Sequence, residues 1–189
     1  MKKIFLALTL FIAFSSLAQD KKILETDAAR FYKNTVDGNY ELLIADTYPK
    51  VFDFIPKDKM LESLKAMLKG DGYVMDVVDA PANFEFGEIK HIANGYYSIV
   101  KHDMLMKMTF SEPIGEAEAN AMVQNFKKAM KTEEVTFNPR FNTFTMRKRA
   151  DFIAILNEQT AGKWKFLNRS GEKLMAKVLD EAVRKQLGV

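Results

Sequence analysis

The sequence predicts an α+β fold, with N-terminal helices packed on one face of a curved antiparallel sheet, one helix inserted within the sheet and another after it. Three observations predict it. Apolar residues recur at helical spacing as far as Leu68. Beyond Gly72 they alternate, the period of half-buried strands. The turn signals Ala80-Pro81-Ala82-Asn83 and Asn94-Gly95 are short enough to join neighbouring antiparallel strands.

Taken in order, residues 1–18 read as a signal peptide. Lys2 and Lys3 form a positive start, Ile4 to Phe14 an apolar run, and Ser16-Leu17-Ala18 the small residues needed before cleavage. A spanning helix needs roughly 20 apolar residues, so the run is too short for a retained anchor. Cleavage after Ala18 would leave Gln19 to Val189 as one exported, soluble domain, periplasmic or secreted, without a membrane anchor. The chain has no cysteine, which rules out a lipid-attached N-terminus and disulfide staples alike. The fold must hold itself by packing, for which 15 Phe, 11 Met and 6 Tyr supply the volume.

Ile23 to Val36 has helical character, with Ala28, Phe31, Tyr32 and Thr35 on one side, and Asp37-Gly38-Asn39 ends it. A second helix is expected from Tyr40 to Tyr48, stopped by Pro49. A third follows Pro56 and Lys57, where Met60, Leu61, Leu64, Met67 and Leu68 form a stripe closed by Gly70-Asp71-Gly72. Strands are expected at Tyr73 to Asp79, Phe84 to Ile92 and Tyr96 to Phe110. A helix at Glu116 to Lys131 presents Ala119, Met122, Val123, Phe126 and Met130. Further strands follow at Glu134 to Asn138, Thr143 to Arg149, Asp151 to Asn157 and Lys163 to Asn168, and Gly171 to Leu187 closes the chain as a helix.

Charge excludes a nucleic-acid partner from the expectations. The 28 basic residues face 25 acidic ones, and Lys2 and Lys3 leave with the signal. The densest basic cluster, Arg147-Lys148-Arg149, is no concentrated basic face. No metal site is expected, because His91 and His102 sit on different strands and there is no cysteine to join them. No cofactor is expected either: Gly70-Asp71-Gly72 lacks the strand and lysine of a phosphate loop, and no serine sits in a Gly-x-Ser-x-Gly elbow.

One strand carries the candidate site. Strict alternation puts Tyr96, Ser98, Val100, His102, Met104, Met106 and Met108 on one face and Tyr97, Ile99, Lys101, Asp103, Leu105 and Lys107 on the other. The first face is the more apolar, so His102 points inward. It is the candidate general base or ligand contact, against the plainer reading of a histidine satisfied within the core. Tyr96, His102, Met104, Met106 and Trp164 are the candidate ligand-binding residues. Met104, Met106, Met108, Met122 and Met130 would give a pliant pocket, or would simply fill the core. Trp164 and Phe166 either stack on a ligand or close the last hairpin.

The opening helix leading through Phe31-Tyr32 to Asp37-Gly38-Asn39-Tyr40-Glu41, the strand Asp151-Phe152-Ile153-Ala154-Ile155-Leu156 and the hairpin Gly162-Lys163-Trp164-Lys165-Phe166-Leu167 resemble the nuclear transport factor 2-like superfamily, which includes SnoaL-like and ketosteroid-isomerase-like proteins. The resemblance implies a cone whose open end holds an apolar ligand, with catalytic residues in some members and absent in many, and homodimers paired sheet to sheet. A cystatin-like sheet wrapped on a helix is the competing fold. Two functions follow as expectations: non-catalytic binding of an apolar small molecule or an envelope protein partner, or a cofactor-free isomerase or lyase using His102 with Asp103 or Tyr96. Asp103 alternates to the opposite face from His102, which counts against that dyad. A homodimer through Thr143, Thr145, Arg147 and Arg149 would carry charge at one end of its seam.

Overall fold

Two long antiparallel strands, β5 (Gly95–Phe110) and β7 (Thr143–Leu156), pair over 14 residues from Tyr96↔Leu156 to Thr109↔Thr143 and form the spine of the structure. The structure is a computed structural model and describes residues 20–169 and 171–189, so the expected signal peptide, residues 1–18, lies outside the described residues. Six short strands flank the spine. β2 (Tyr73–Val77), itself paired with β1 (Lys69–Gly70), runs along one end of β5, and β3 (Glu85–Phe86) and β4 (Lys90–Ile92) run along the other. β6 (Val135–Asn138) and β8 (Lys165–Asn168) flank β7 in the same way. The eight strands make one antiparallel sheet, as the alternation predicts.

Helices cover both faces. On the face carrying Val100, His102 and Phe152 lie α1 (residues 20–36), α2 (Tyr40–Asp46) and α3 (Lys57–Leu68), with α4 (Glu116–Met130) further along it. Leu24, Ala28 and Phe31 of α1, spaced i, i+4, i+7, are all buried and meet Val100, Phe152 and Phe166. Phe31 stacks on Phe166 at 4.7 Å and meets Phe152 edge-on at 5.4 Å. α4 buries Ala119 and lays Met122, Phe126 and Met130 over Phe144 and Met146. Its first turn carries Glu116 and Glu118 and its last Lys127 and Lys128, each complementing the helix dipole. On the opposite face, among the described residues, α5 (Glu172–Val178) and α6 (Glu181–Leu187) cover one end, packing on Tyr97, Ile153 and Ile155.

The structure departs from the sequence expectations at several places. The expected second helix stops at Asp46, because Thr47 and Tyr48 turn to pair with Phe166 of β8 before a short 3-10 helix, Pro49–Asp53. The expected strand Phe84 to Ile92 divides. Phe86 pairs with Val100 while Lys90 pairs with Tyr97, so one extra residue is accommodated between β3 and β4 as a bulge. A side chain at Gly87 would come within 2.9 Å of the Ile99 carbonyl, so that close approach requires glycine. The two strands expected on either side of Ala150 are one, continuous through the His102↔Ala150 pair. The C-terminal helix is broken at Leu179, which adopts an extended backbone and is buried beside Val178.

The β4–β5 turn also differs by one residue. Ile92 pairs with Gly95, which leaves Ala93 and Asn94 as the turn and puts φ of 51° on Ala93. A left-handed backbone costs an L residue roughly 1–2 kcal/mol, which glycine would recover. Part of that gain is offset by the freedom glycine adds to the unfolded chain. Ala93→Gly is therefore expected to raise stability by about 0.5–1 kcal/mol, measured as a shift of the urea midpoint with an unchanged slope.

Candidate functional site

A cavity of about 160 Å³ lies between the first three helices and the sheet. Phe31 and Tyr32 come from α1, Leu64 and Met67 from α3, Met75 from β2, and His102, Met104 and Met106 from β5. Helical spacing on α1 and strand alternation on β5 place these side chains in one space. Among the described residues no Lys, Arg, Asp or Glu lines it. On the α3 side none of the helix's residues is fully buried, and Met67 is exposed.

His102 is the singular feature of this wall. It is 3% exposed, and its ring is boxed by Phe152 at 5.2 Å, Tyr32 edge-on at 5.4 Å and Phe84 at 6.1 Å. Ala150, opposite it on β7, has no bulk to crowd the ring. Its Nδ1 is sealed from solvent and has no hydrogen-bond partner among the described residues. Burial, then the nearby Arg149 guanidinium, pushes its pKa down to about 4, against weaker opposing pulls from Asp151 and Asp103. The imidazole is neutral at pH 7.

That environment bears on catalysis. A general base works best with a pKa near the operating pH, and a pKa of about 4 is far too acidic for that role at neutrality. Asp103 is on the other face, where it accepts from Asn83 Nδ2 (2.7 Å) and Arg149 Nη1 (3.0 Å); these bonds hold its carboxyl below the usual range. The β5–β7 register is unbroken there, so no bulge turns Asp103 toward His102. The Tyr32 hydroxyl donates to the Ala80 carbonyl at 3.4 Å, and burial raises its pKa. Among the described residues no carboxylate, lysine or second histidine lines the cavity with the imidazole, and the hydroxyl of the adjacent Tyr32 is directed to Ala80.

The residues singled out in the sequence separate into four places. His102, Met104 and Met106 line the cavity together. Tyr96 is 39% exposed at the hairpin end, its ring 4.8 Å from that of His91. Trp164 is 1% exposed in the core with Phe152 and Phe166, away from the cavity wall. Met108, Met122 and Met130 belong to the packing beneath α4. The aromatic box of Tyr32, Phe84 and Phe152 escaped sequence reasoning. Tyr32 alone gave a signal, through its place on the apolar side of the first helix.

The remaining polar clusters are internally matched. Arg149 also donates to the Asn83 carbonyl and pairs with Glu85, and Arg147 pairs with Glu134, so two of the three clustered basic residues are engaged on the open sheet face. A smaller hollow of about 130 Å³ at the other end contains Tyr48, whose hydroxyl donates to Gln159 Oε1 and accepts from Asn157 Nδ2. Among the described residues no three His, Cys, Asp or Glu side chains gather as a metal site, and no helix is long and apolar enough to cross a membrane. No protein-family model matches this sequence, and no curated protein matches it closely enough to count as a relative.

Proposed function

We propose that this chain is an exported, non-catalytic binding domain of the nuclear transport factor 2-like kind, and that its cavity under α1–α3 holds an apolar small molecule. The observation that carries this reading is a cavity walled mainly by Phe, Leu and Met side chains, with no ionised group on it among the described residues. Ligand pockets are mostly apolar with a few placed polar groups, which is the balance here. A dry apolar cavity of about 150 Å³ is enough to hold a benzene ring, and the methionines can repack around something larger. The weak basicity of His102 and the absence of a partner beside it favour binding over proton transfer. Lys2, Lys3, the apolar run to Phe14 and Ser16-Leu17-Ala18 support export.

Native mass spectrometry of protein expressed as the full chain and recovered from the exported fraction tests both halves. The expected result is a denatured mass beginning at Gln19 and a native mass larger by one small molecule, released on unfolding. A chain retaining residues 1–18 would overturn export. A native mass equal to the denatured one, unchanged by incubation with single-ring aromatics, would overturn the binding reading.

A further inference from the structure

The ligand's polar group can be read from the one buried polar side chain on the cavity wall that is left without a hydrogen-bond partner among the described residues; Tyr40 and Asn168, also on that wall, are part-exposed or exposed and can be hydrated. A buried nitrogen without a partner is uncommon, because leaving one unmade forfeits the hydrogen bond it had in water. His102 is more than nine-tenths buried, lines the cavity and has such a nitrogen. Two other polar side chains of the wall are already engaged: Thr35 donates to the Phe31 carbonyl and Tyr32 to that of Ala80. A neutral imidazole offers one donor and one acceptor. A hydroxyl can accept from the first or donate to the second, so it suits either tautomer and either orientation of the ring. A carboxylate or ammonium would have to leave water for a space lined by no opposite charge, at a cost no single hydrogen bond restores.

We infer that the cavity selects a neutral, single-ring aromatic bearing one hydroxyl group, which hydrogen-bonds the His102 imidazole while its ring lies among Phe31, Leu64, Met75, Met104 and Met106. This rests on the proposed binding role and names the ligand class for it. A net hydrogen bond of about 0.5–1.5 kcal/mol corresponds to roughly 2- to 12-fold in affinity.

Calorimetric titration of the exported protein with 4-methylphenol, 1,4-dimethylbenzene and benzoate tests the inference, since the first two differ only by hydroxyl for methyl. The expected result is 4-methylphenol binding roughly 2- to 12-fold tighter than 1,4-dimethylbenzene, no binding of benzoate, and loss of the preference in His102→Leu. Because that variant also changes packing, the ¹⁵N resonances of the His102 ring in the unaltered protein give a second readout. They should shift with 4-methylphenol and not with the hydrocarbon. Equal affinity for the two aromatics, a preference that survives His102→Leu, or benzoate bound as tightly as the phenol would each overturn the ligand class and leave apolar binding standing. Failure of both neutral aromatics to bind would overturn the binding role as well.

Discussion

Phe152→Ala is expected to cost about 3–5 kcal/mol of stability and to be partly rescued by a small aromatic molecule. Phe152 is fully buried on β7, pairs with Val100, and touches three other rings: Phe31 at 5.4 Å, Phe166 at 5.1 Å and His102 at 5.2 Å. Truncation to alanine removes the transfer free energy of the ring and leaves a void that rigid neighbours on two strands and a helix fill only in part, which puts the loss at about 3–5 kcal/mol. That is a large share of the about 5–15 kcal/mol that keeps a domain folded. The position also lines the cavity, so the void opens into space already present. A ligand such as 1,4-dimethylbenzene at about 100 times its dissociation constant would return about 2.7 kcal/mol. The measurement is the urea midpoint of the variant with and without that compound. Trp164→Ala gives the contrast, since Trp164 is equally buried but does not line the cavity. It should lose a comparable amount and regain less. Equal rescue of both variants would mean that the compound fills any void in this core.

How much of this site was legible in the sequence depends on the distance over which each part is determined. The inward direction of His102, Met104 and Met106 follows from alternation along one strand, a relation set by covalent geometry. The α3 stripe through Leu64 and Met67 is local in the same way. The box around His102 is not. Tyr32, Phe84 and Phe152 reach it from three places in the chain, and their meeting depends on the registers Phe86↔Val100 and Val100↔Phe152. Those are long-range pairings that no window of sequence contains. The division of the methionines has the same cause: Met106 and Met108 look alike on the strand, yet α4 covers the second and the first also reaches the cavity. Some losses were avoidable. Asp180 followed by Glu181 is an N-cap signal within Gly171–Leu187, where α6 begins. The bulge at Gly87 had a glycine to mark it.

The His102→Leu variant is expected to flatten the acid side of the stability profile. The imidazole has a pKa of about 4 in the folded protein against 6.5 for the ordinary group, so between those values the unfolded chain binds a proton that the folded one does not. Stability then rises with pH across the interval, and it is lost as pH falls from 6.5 through 4. Above 6.5 neither state is protonated and the contribution is constant. Each tenfold difference in proton affinity between the two states is worth about 1.36 kcal/mol, so the wild-type protein should lose roughly 3 kcal/mol more than the variant between pH 7 and pH 4. The carboxylates whose folded pKa is lowered, Asp103 by Asn83 and Arg149 and Glu85 by Lys101, have the same sign but act lower, as pH falls through the carboxylate range. They are present in both proteins and drop out of the difference. Urea unfolding of both proteins from pH 7.5 to pH 4 is the measurement, and parallel curves would mean that His102 is open to solvent in the folded state. At neutral pH the leucine variant should be the more stable of the two, because it exchanges an unpaired buried nitrogen for methyl groups. A side chain that costs the fold stability on both counts is accounted for by what it binds rather than by what it supports.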